Sequence, residues 1–236
     1  MDVFHFKQFT IQQDNCAMKV GTDGVLLGAW TSLNCSPDTI LDVGSGTGLI
    51  ALMLAQRATA SVIDAIEIDT DAFEQCVANF EASPWADRLF CYHAGFQEFY
   101  EEIEESYDLI VSNPPFFIED VSSGQISRDR ARQNQSLPYP SLFEGIKTLL
   151  APKGELSMII PYSAELAVLD LAATQGLYPS RITRVKGNPI ASFKRSLLQL
   201  SRNKIAVTSR ELVIELERHV YSKEYIQLTK DFYLKM

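Results

Sequence analysis

Several features that mark whole classes of protein are missing from this chain. It has no long apolar run: stretches such as "LIALMLA" at 49–55 fall far short of the ~20 residues that a membrane-spanning helix needs. The opening "MDVFHFKQFTIQQD" has no basic segment followed by an apolar one, so a signal peptide is not expected. Cysteine is sparse: Cys16, Cys35, Cys76 and Cys91 show no CxxC spacing, and His5, His93 and His219 lie far apart in sequence. Neither a disulfide framework nor a metal centre is expected; the thiols should be reduced and packed, and the protein cytoplasmic. Repeats and low-complexity segments are absent. Net positive charge is missing too, since 21 Lys and Arg against 30 Asp and Glu give −9. Taken alone, that balance argues against a nucleic-acid partner.

The charge is unevenly spread, however. "EFYEEIEESYD" (Glu98 to Asp108) is a dense acidic patch, expected as a solvated helix face and connector. Between 181 and 210 stand Arg181, Arg184, Lys186, Lys194, Arg195, Arg202, Lys204 and Arg210, with no Asp or Glu among them. A locally basic end on an acidic body can still hold a polyanion, because the field near a site matters more than the sum.

What is present is a regular alternation. The 236 residues, 46% hydrophobic, suffice for a substantial core and suggest one α/β domain with an added element. "FHFKQFTIQQD" reads as a short hairpin and "TDGVLLGAWTSL" as a helix capped by Thr22 or Asp23. Then "TILDVG", "SVIDAIEID", "RLFCYHA" and "YDLIVS" read as strands separated by helical patterns. Such βαβ units imply a mostly parallel sheet covered on both faces. After Phe117 a long polar stretch shows no core periodicity, and loops of that length are usually functional or mobile. "SLFEGIKTLLAPKGELSMIIP" resumes as helix, Pro-Lys-Gly turn and strand; "AELAVLDLAATQG" is a helix. "LYPSRITRVKG" and "RSLLQLSRN" suggest an antiparallel pair at the sheet edge, and the C-terminus a short amphipathic helix with Tyr225, Leu228 and Phe232 on one face.

Two stretches carry chemistry. "LDVGSGTGL" places Asp42, Gly44, Gly46 and Gly48 where the first strand of the alternation turns into a helix, and glycines there let a ligand approach the backbone. The dinucleotide fingerprint would need glycine at 49, which is Leu49, so a nicotinamide enzyme is disfavoured. Glu67, at the tip of the next strand, is placed to accept both ribose hydroxyls of a nucleoside cofactor. The second stretch is "SNPPF", Ser112 to Phe116, ending the strand "YDLIVS". Strands of an open α/β sheet offer ligands their C-terminal ends, so this motif lies beside the glycine loop.

Together, strand–GxGxG–helix–strand–acid resembles the class I S-adenosylmethionine-dependent methyltransferases. The resemblance implies a Rossmann-like α/β fold: a seven-stranded, mostly parallel sheet with helices on both faces and an antiparallel last strand. It implies S-adenosyl-L-methionine as cofactor. The usual acid that contacts the adenine amine is replaced near Gly95, leaving backbone groups of Ala94 and Gly95, or Gln97, for that contact. The Asn-Pro-Pro-Phe element is associated with methylation of amino nitrogens, and it implicates Asn113, Pro114, Pro115 and Phe116 in catalysis. Such an amine is a poor nucleophile because its lone pair is delocalised; two acceptors, Asn113 Oδ1 and the Pro114 carbonyl, would take its two N–H bonds. Proline fixes φ and so holds that carbonyl in place, and Phe116 offers a stacking face.

"CAMKVGTDGVLLGAW", "ALMLAQR", "SPWADR" and "FYLKM" sharpen this. From Phe6 to Met236 the chain is similar to the bacterial valine-tRNA adenine-37 N6-methyltransferase family. The resemblance implies a single domain over 1–236, with 1–34 as an extension packed on it, and a target adenine in the anticodon loop of a tRNA. It also implies Lys19, Thr22 and Asp23 as cofactor contacts in a segment closing over the site. Arg128, Arg130 and Arg132 after the motif, and Lys194 and Arg195 between the last two strands, become candidate RNA contacts. Neither membrane nor DNA is expected as a partner, and the expected state is a monomer or weak dimer. Alternatives sharing the motif are a ribosomal RNA guanine-N2 methyltransferase, a protein glutamine methyltransferase and a DNA adenine methyltransferase. A catalytically silent RNA-binding protein is a further one.

Overall fold

The computed structural model describes residues 2–16, 18–115 and 137–236. A hairpin, β1 (Val3–His5) and β2 (Thr10–Gln12), leads into helix α1 (Thr22–Trp30). The alternation follows: β3 (Thr39–Val43), α2 (Leu49–Arg57), β4 (Val62–Glu67), α3 (Thr70–Glu81), β5 (Leu89–His93), α4 (Phe96–Glu102) and β6 (Tyr107–Ser112). Beyond residue 136 come α5 (Tyr139–Leu149), β7 (Leu150–Pro161), a 3-10 turn at Tyr162–Ala164, α6 (Glu165–Thr174), β8 (Tyr178–Lys186) and β9 (Arg195–Ser201). The chain closes with β10 (Thr208–Val213), a small hairpin of β11 (Glu215–Glu217) and β12 (Val220–Tyr221), and α7 (Lys223–Thr229).

The strands β3 to β10 form one sheet in the order β10-β8-β9-β7-β6-β3-β4-β5. Strand β9 runs antiparallel to β7 and β8, and every other pairing in the sheet is parallel. The central strands are apolar on both faces because helices cover both. Ile40, Leu109 and Val111 join one core with α1, α2 and α3, while Leu41, Val43 and Ile110 join a second with α4, α5 and α6. Each fully buried Leu or Ile contributes about 1.5–3 kcal/mol. The N-terminal hairpin shares the first core through Phe6, Phe9 and Ile11. Among the described residues no helix is long and apolar enough to cross a membrane.

Four local expectations are corrected. The sheet has eight strands, not seven: β10 pairs with β8 outside the antiparallel pair, which therefore is not the edge. Its residues "TSRE" are all exposed, so no apolar periodicity announced it. The Pro152-Lys153-Gly154 turn lies inside β7 as a bulge, where the register jumps from Tyr107↔Leu150 to Leu109↔Glu155. Helix α1 is capped by Gly21 without a side-chain bond; Thr22 is its first residue and Asp23 lies in its first turn. The cysteines are all free, but Cys35 is exposed rather than packed.

Candidate active site

Strand β3 leads into a loop whose three glycines all have left-handed backbone, with φ of 75° at Gly44, 55° at Gly46 and 79° at Gly48. The N–H groups of Gly44 and Ser45 both donate to Ile66 O at 3.0 Å, and Gly48 N–H donates to Ser45 O at 2.9 Å. The glycines do different work. A side chain on Gly44 or Gly46 would meet no protein atom within 4 Å, whereas one on Gly48 would lie 2.5 Å from Phe80 and 2.9 Å from Cys76 Sγ. Gly48 thus packs the loop onto α3, and Gly44 and Gly46 leave bare backbone facing open space.

That space is a cavity of about 410 Å³. Gly44 to Thr47 form one side, the segment Met18 to Gly24 another, and Asn113, Pro114 and Pro115 the end of β6. The three came together because β3 and β6 are adjacent parallel strands, with Val43 level with Ser112. Ser112 Oγ donates to Val43 O at 2.9 Å and locks the two strand ends. Asn113 Oδ1 is buried and has no hydrogen-bond partner among the described residues. An acceptor in that state costs free energy unless a donor arrives.

The expected cofactor residues fall into two groups. Lys19, Thr22, Asp23, Gly44 and Gly46 line the cavity, and beside them so does Asn113. Lys19 pairs with Asp2 at the exposed rim, and that hydrogen bond raises the lysine and lowers the aspartate from their ordinary values. Asp23 Oδ2 accepts from Arg195 Nε at 2.8 Å, so a residue expected to touch cofactor and one expected to touch RNA hold each other. Gly48, Asp42, Glu67 and Ala94 do not line the cavity.

Asp42 lies beneath the loop, fully buried, with Oδ2 accepting from Ala51 N–H at 3.1 Å and Oδ1 unpartnered among the described residues. Burial pushes its carboxyl up to about 7, against the Ala51 hydrogen bond that lowers it. Glu67 already accepts three backbone hydrogen bonds, from Gly46 N at 2.8 Å and from Ile68 N and Asp69 N at 2.9 Å each. A carboxylate has about four acceptor positions. Only about one is left, so holding both ribose hydroxyls would require Gly46 N–H to share or release its bond. Ala94 N–H donates to Glu67 O at 3.2 Å, which sets the β5 end beside that carboxylate. Lys194 is exposed, and Phe116, Arg128, Arg130 and Arg132 lie outside the described residues.

Sequence reasoning missed the struts behind the site. Asn79 on α3 accepts from Gln12 N at 2.8 Å and donates to Gln12 O at 3.0 Å and to Thr47 O at 2.9 Å. It fastens the N-terminal hairpin to the glycine loop. Gln13 Oε1 accepts from Val20 N at 2.7 Å and steadies the segment that forms the cavity wall. A buried Asn or Gln among helical polar residues carries no signal of its own in one sequence.

The cavity suits a nucleoside-bearing cofactor on three counts: its volume lies in the usual 300–1,000 Å³ range, Gly44 and Gly46 leave backbone for close approach, and an orphaned acceptor waits at Asn113.

Comparison with known proteins identifies the family and the fold. The methyltransferase small domain family model matches residues 25–170. The tRNA1(Val) (adenine(37)-N6)-methyltransferase of Flavobacterium psychrophilum is 59% identical over 99% of this chain and 100% of its own. That of Parabacteroides distasonis is 47% identical over 99% and 98%. Among solved structures, a "predicted O-methyltransferase" from Agrobacterium tumefaciens superposes with a TM-score of 0.68 at 16% identity, covering 89% of this chain and 96% of that one. A ribosomal protein L11 methylase from Lactobacillus delbrueckii gives 0.54 at 16% identity over 77% of each chain. Those two speak to the fold alone, that of the class I methyltransferases, in which S-adenosylmethionine is the methyl donor. With near-complete coverage at 47–59% identity behind it, the chain belongs to the tRNA1(Val) (adenine(37)-N6)-methyltransferase family.

Proposed function

We propose that the protein methylates N6 of an adenine in the anticodon loop of a tRNA, adenine 37 of a valine tRNA by the names of its relatives. The observation that carries the chemistry is Asn113: its carboxamide oxygen is buried and unpartnered among the described residues, and the residue lines the cavity. S-adenosylmethionine, when bound, would supply an electrophilic methyl group, the bond to its sulfonium sulfur breaking to leave a neutral thioether. Gly44, Gly46, Thr22 and Lys19, which line the cavity, would hold it; Glu67, off the cavity wall and bonded to Gly46 N–H, would take a ribose hydroxyl only through its one remaining acceptor position.

The residues of the chain prepare the amine. Asn113 Oδ1 and the Pro114 carbonyl accept the two N–H bonds of N6, which draws the nitrogen out of conjugation and frees its lone pair. Pro115 fixes the backbone that presents the carbonyl. As the new N–C bond forms, the nitrogen carries a surplus proton and must lose it. Among the described lining residues the only carboxylate is Asp23, and Arg195 already occupies it. The arrangement therefore favours attack by the neutral amine followed by proton loss to water. Proximity and alignment supply much of the rate. Phe116 stacks the extruded base, and Arg128, Arg130 and Arg132 contact phosphates, on the reading of the sequence. The whole chain acts as one cytoplasmic methyltransferase unit.

Nucleoside mass spectrometry of tRNA and rRNA after incubation with labelled S-adenosylmethionine tests this. Labelled N6-methyladenosine in tRNA is expected. Labelled N2-methylguanosine in rRNA, with none in tRNA, would overturn it.

A further inference from the structure

Strand β7 neighbours β6, and Met158 is level with Ser112. From that level β7 runs on for three residues, ~10 Å of strand, to Pro161, whereas β6 ends at Ser112 and passes into Asn113, Pro114 and Pro115. The next residue, Tyr162, follows the end of β7 at the same edge of the sheet at which Asn113, Pro114 and Pro115 follow the end of the neighbouring β6. It is 40% exposed, although aromatic. Its ring meets that of Phe193 with centroids 5.2 Å apart at 53°, and Lys186 Nζ sits 5.3 Å from the Phe193 ring.

The loop that carries Phe193 is braced. Tyr162 N–H donates to Lys194 O at 3.1 Å and Lys194 N–H to Val185 O at 2.8 Å. Asn188 Oδ1 accepts from Ile190 and Ala191 N–H at 3.2 and 2.9 Å. Arg195, at the foot of the loop, is tied to Asp23 on the cavity wall. The patch is thus fixed to the site, not free to drift from it. Its local charge is basic: Lys194 has no ion-pair partner among the described residues, whereas Lys186 is paired with Glu211 at 3.2 Å and Arg195 with Asp23. Nothing in the mechanism uses these rings.

From this juxtaposition we propose that Tyr162 and Phe193 form a stacking platform for an unpaired base next to the target adenine, with Lys194 on the adjoining phosphate. The inference rests on the tRNA reading above and extends it to the flanking nucleotide. An extruded target leaves its neighbour unstacked, and an aromatic face beside the cavity replaces the lost stack for any base identity. A bare ammonium beside it reads the backbone.

The test compares Tyr162→Ala, Phe193→Ala, Tyr162→Phe and Lys194→Ala with the wild type on purified tRNA, across a salt series. Each aromatic-to-Ala variant should weaken tRNA binding and raise KM for tRNA about 5- to 100-fold. Cofactor affinity should stay the same, and so should the slope of log K against log salt. Tyr162→Phe should keep wild-type binding. Lys194→Ala should reduce the slope by about 1. If wild type methylates tRNA and both Ala variants bind it equally well, the platform is overturned and the rings serve another partner. Equal losses of cofactor and tRNA affinity would also overturn it, since that marks a structural role. A wild type that methylates no tRNA overturns the functional reading itself.

Discussion

Asn113 and Asp42 both carry an unpartnered buried oxygen among the described residues, and the two atoms have opposite uses. Asn113 lines the cavity, and in the proposed reaction its orphaned acceptor takes a hydrogen bond from the target amine. Asn113→Ala should lower kcat by about 100- to 1,000-fold, the cost of removing one fixed hydrogen-bonding group from a reacting centre. Single-turnover assays beside calorimetric titration of cofactor should show rate lost and cofactor binding kept. Asp42 faces the protein interior, and burial raises it to about 7 in the folded chain, above the ~3.9 of an unfolded one. The folded state therefore holds a proton that the unfolded state releases. The stability this group contributes is full below about pH 4, is lost as pH rises to about 7 and is flat above. Asp42→Asn should remove that dependence, changing the pH 5 to pH 8 difference in urea stability by on the order of 2 kcal/mol. Both residues were legible as site candidates in sequence. Their separation into a cavity residue and a buried prop was not, because side-chain direction at a strand end depends on which face the neighbours fill.

At the scale of elements, the glycine loop is held from below by α3 and from the side by the N-terminal hairpin. Asn79→Ala would leave Gln12 N–H, Gln12 O and Thr47 O without a partner. The expected cost is about 1–3 kcal/mol, read from denaturant midpoints, together with weaker cofactor binding. The pair of α1 and β9, Asp23 with Arg195, is half-buried and partly screened. A double-mutant cycle on tRNA turnover should give a coupling of about 0.5–1 kcal/mol. Independent effects of the two substitutions would show that cavity wall and RNA side are not linked. The spacing "GSGTG" made the loop readable. Its supports were not readable, since their partners lie 67 residues back for Asn79 and 172 residues on for Asp23.

On the whole molecule, an acidic body must receive a polyanion at one end. The C-terminal ends of β6, β7 and β8 bring the Asn-Pro-Pro motif, Tyr162 and Lys186 to the same rim, and the chain leading into β9 adds Lys194 there. Replacing Arg128, Arg130 and Arg132 together with Ala should weaken tRNA binding and flatten its salt dependence, measured by filter binding between low and moderate salt. Binding unchanged across the series would remove them from the interface. The net charge of −9 predicted poor nucleic-acid binding on its own. Local concentration of basic residues over 181–210 is what reverses that expectation, though part of it is internal: Arg184 is spent on Glu165 and Arg181 lies over Trp30.

The sequence by itself determined the alternation of strands and helices, the glycine loop, the Asn-Pro-Pro turn and the family. The first three depend on local spacing: apolar period, backbone freedom at glycine and its loss at proline; the family follows from likeness along nearly the whole chain. Tertiary structure alone decided the eighth strand, the occupied state of the Glu67 carboxylate, the burial of Asp42, the Asp23–Arg195 tie and the meeting of Tyr162 with Phe193. These depend on distances between residues far apart in the chain. Only the packed sheet, with β7 set between β6 and β9, fixes them.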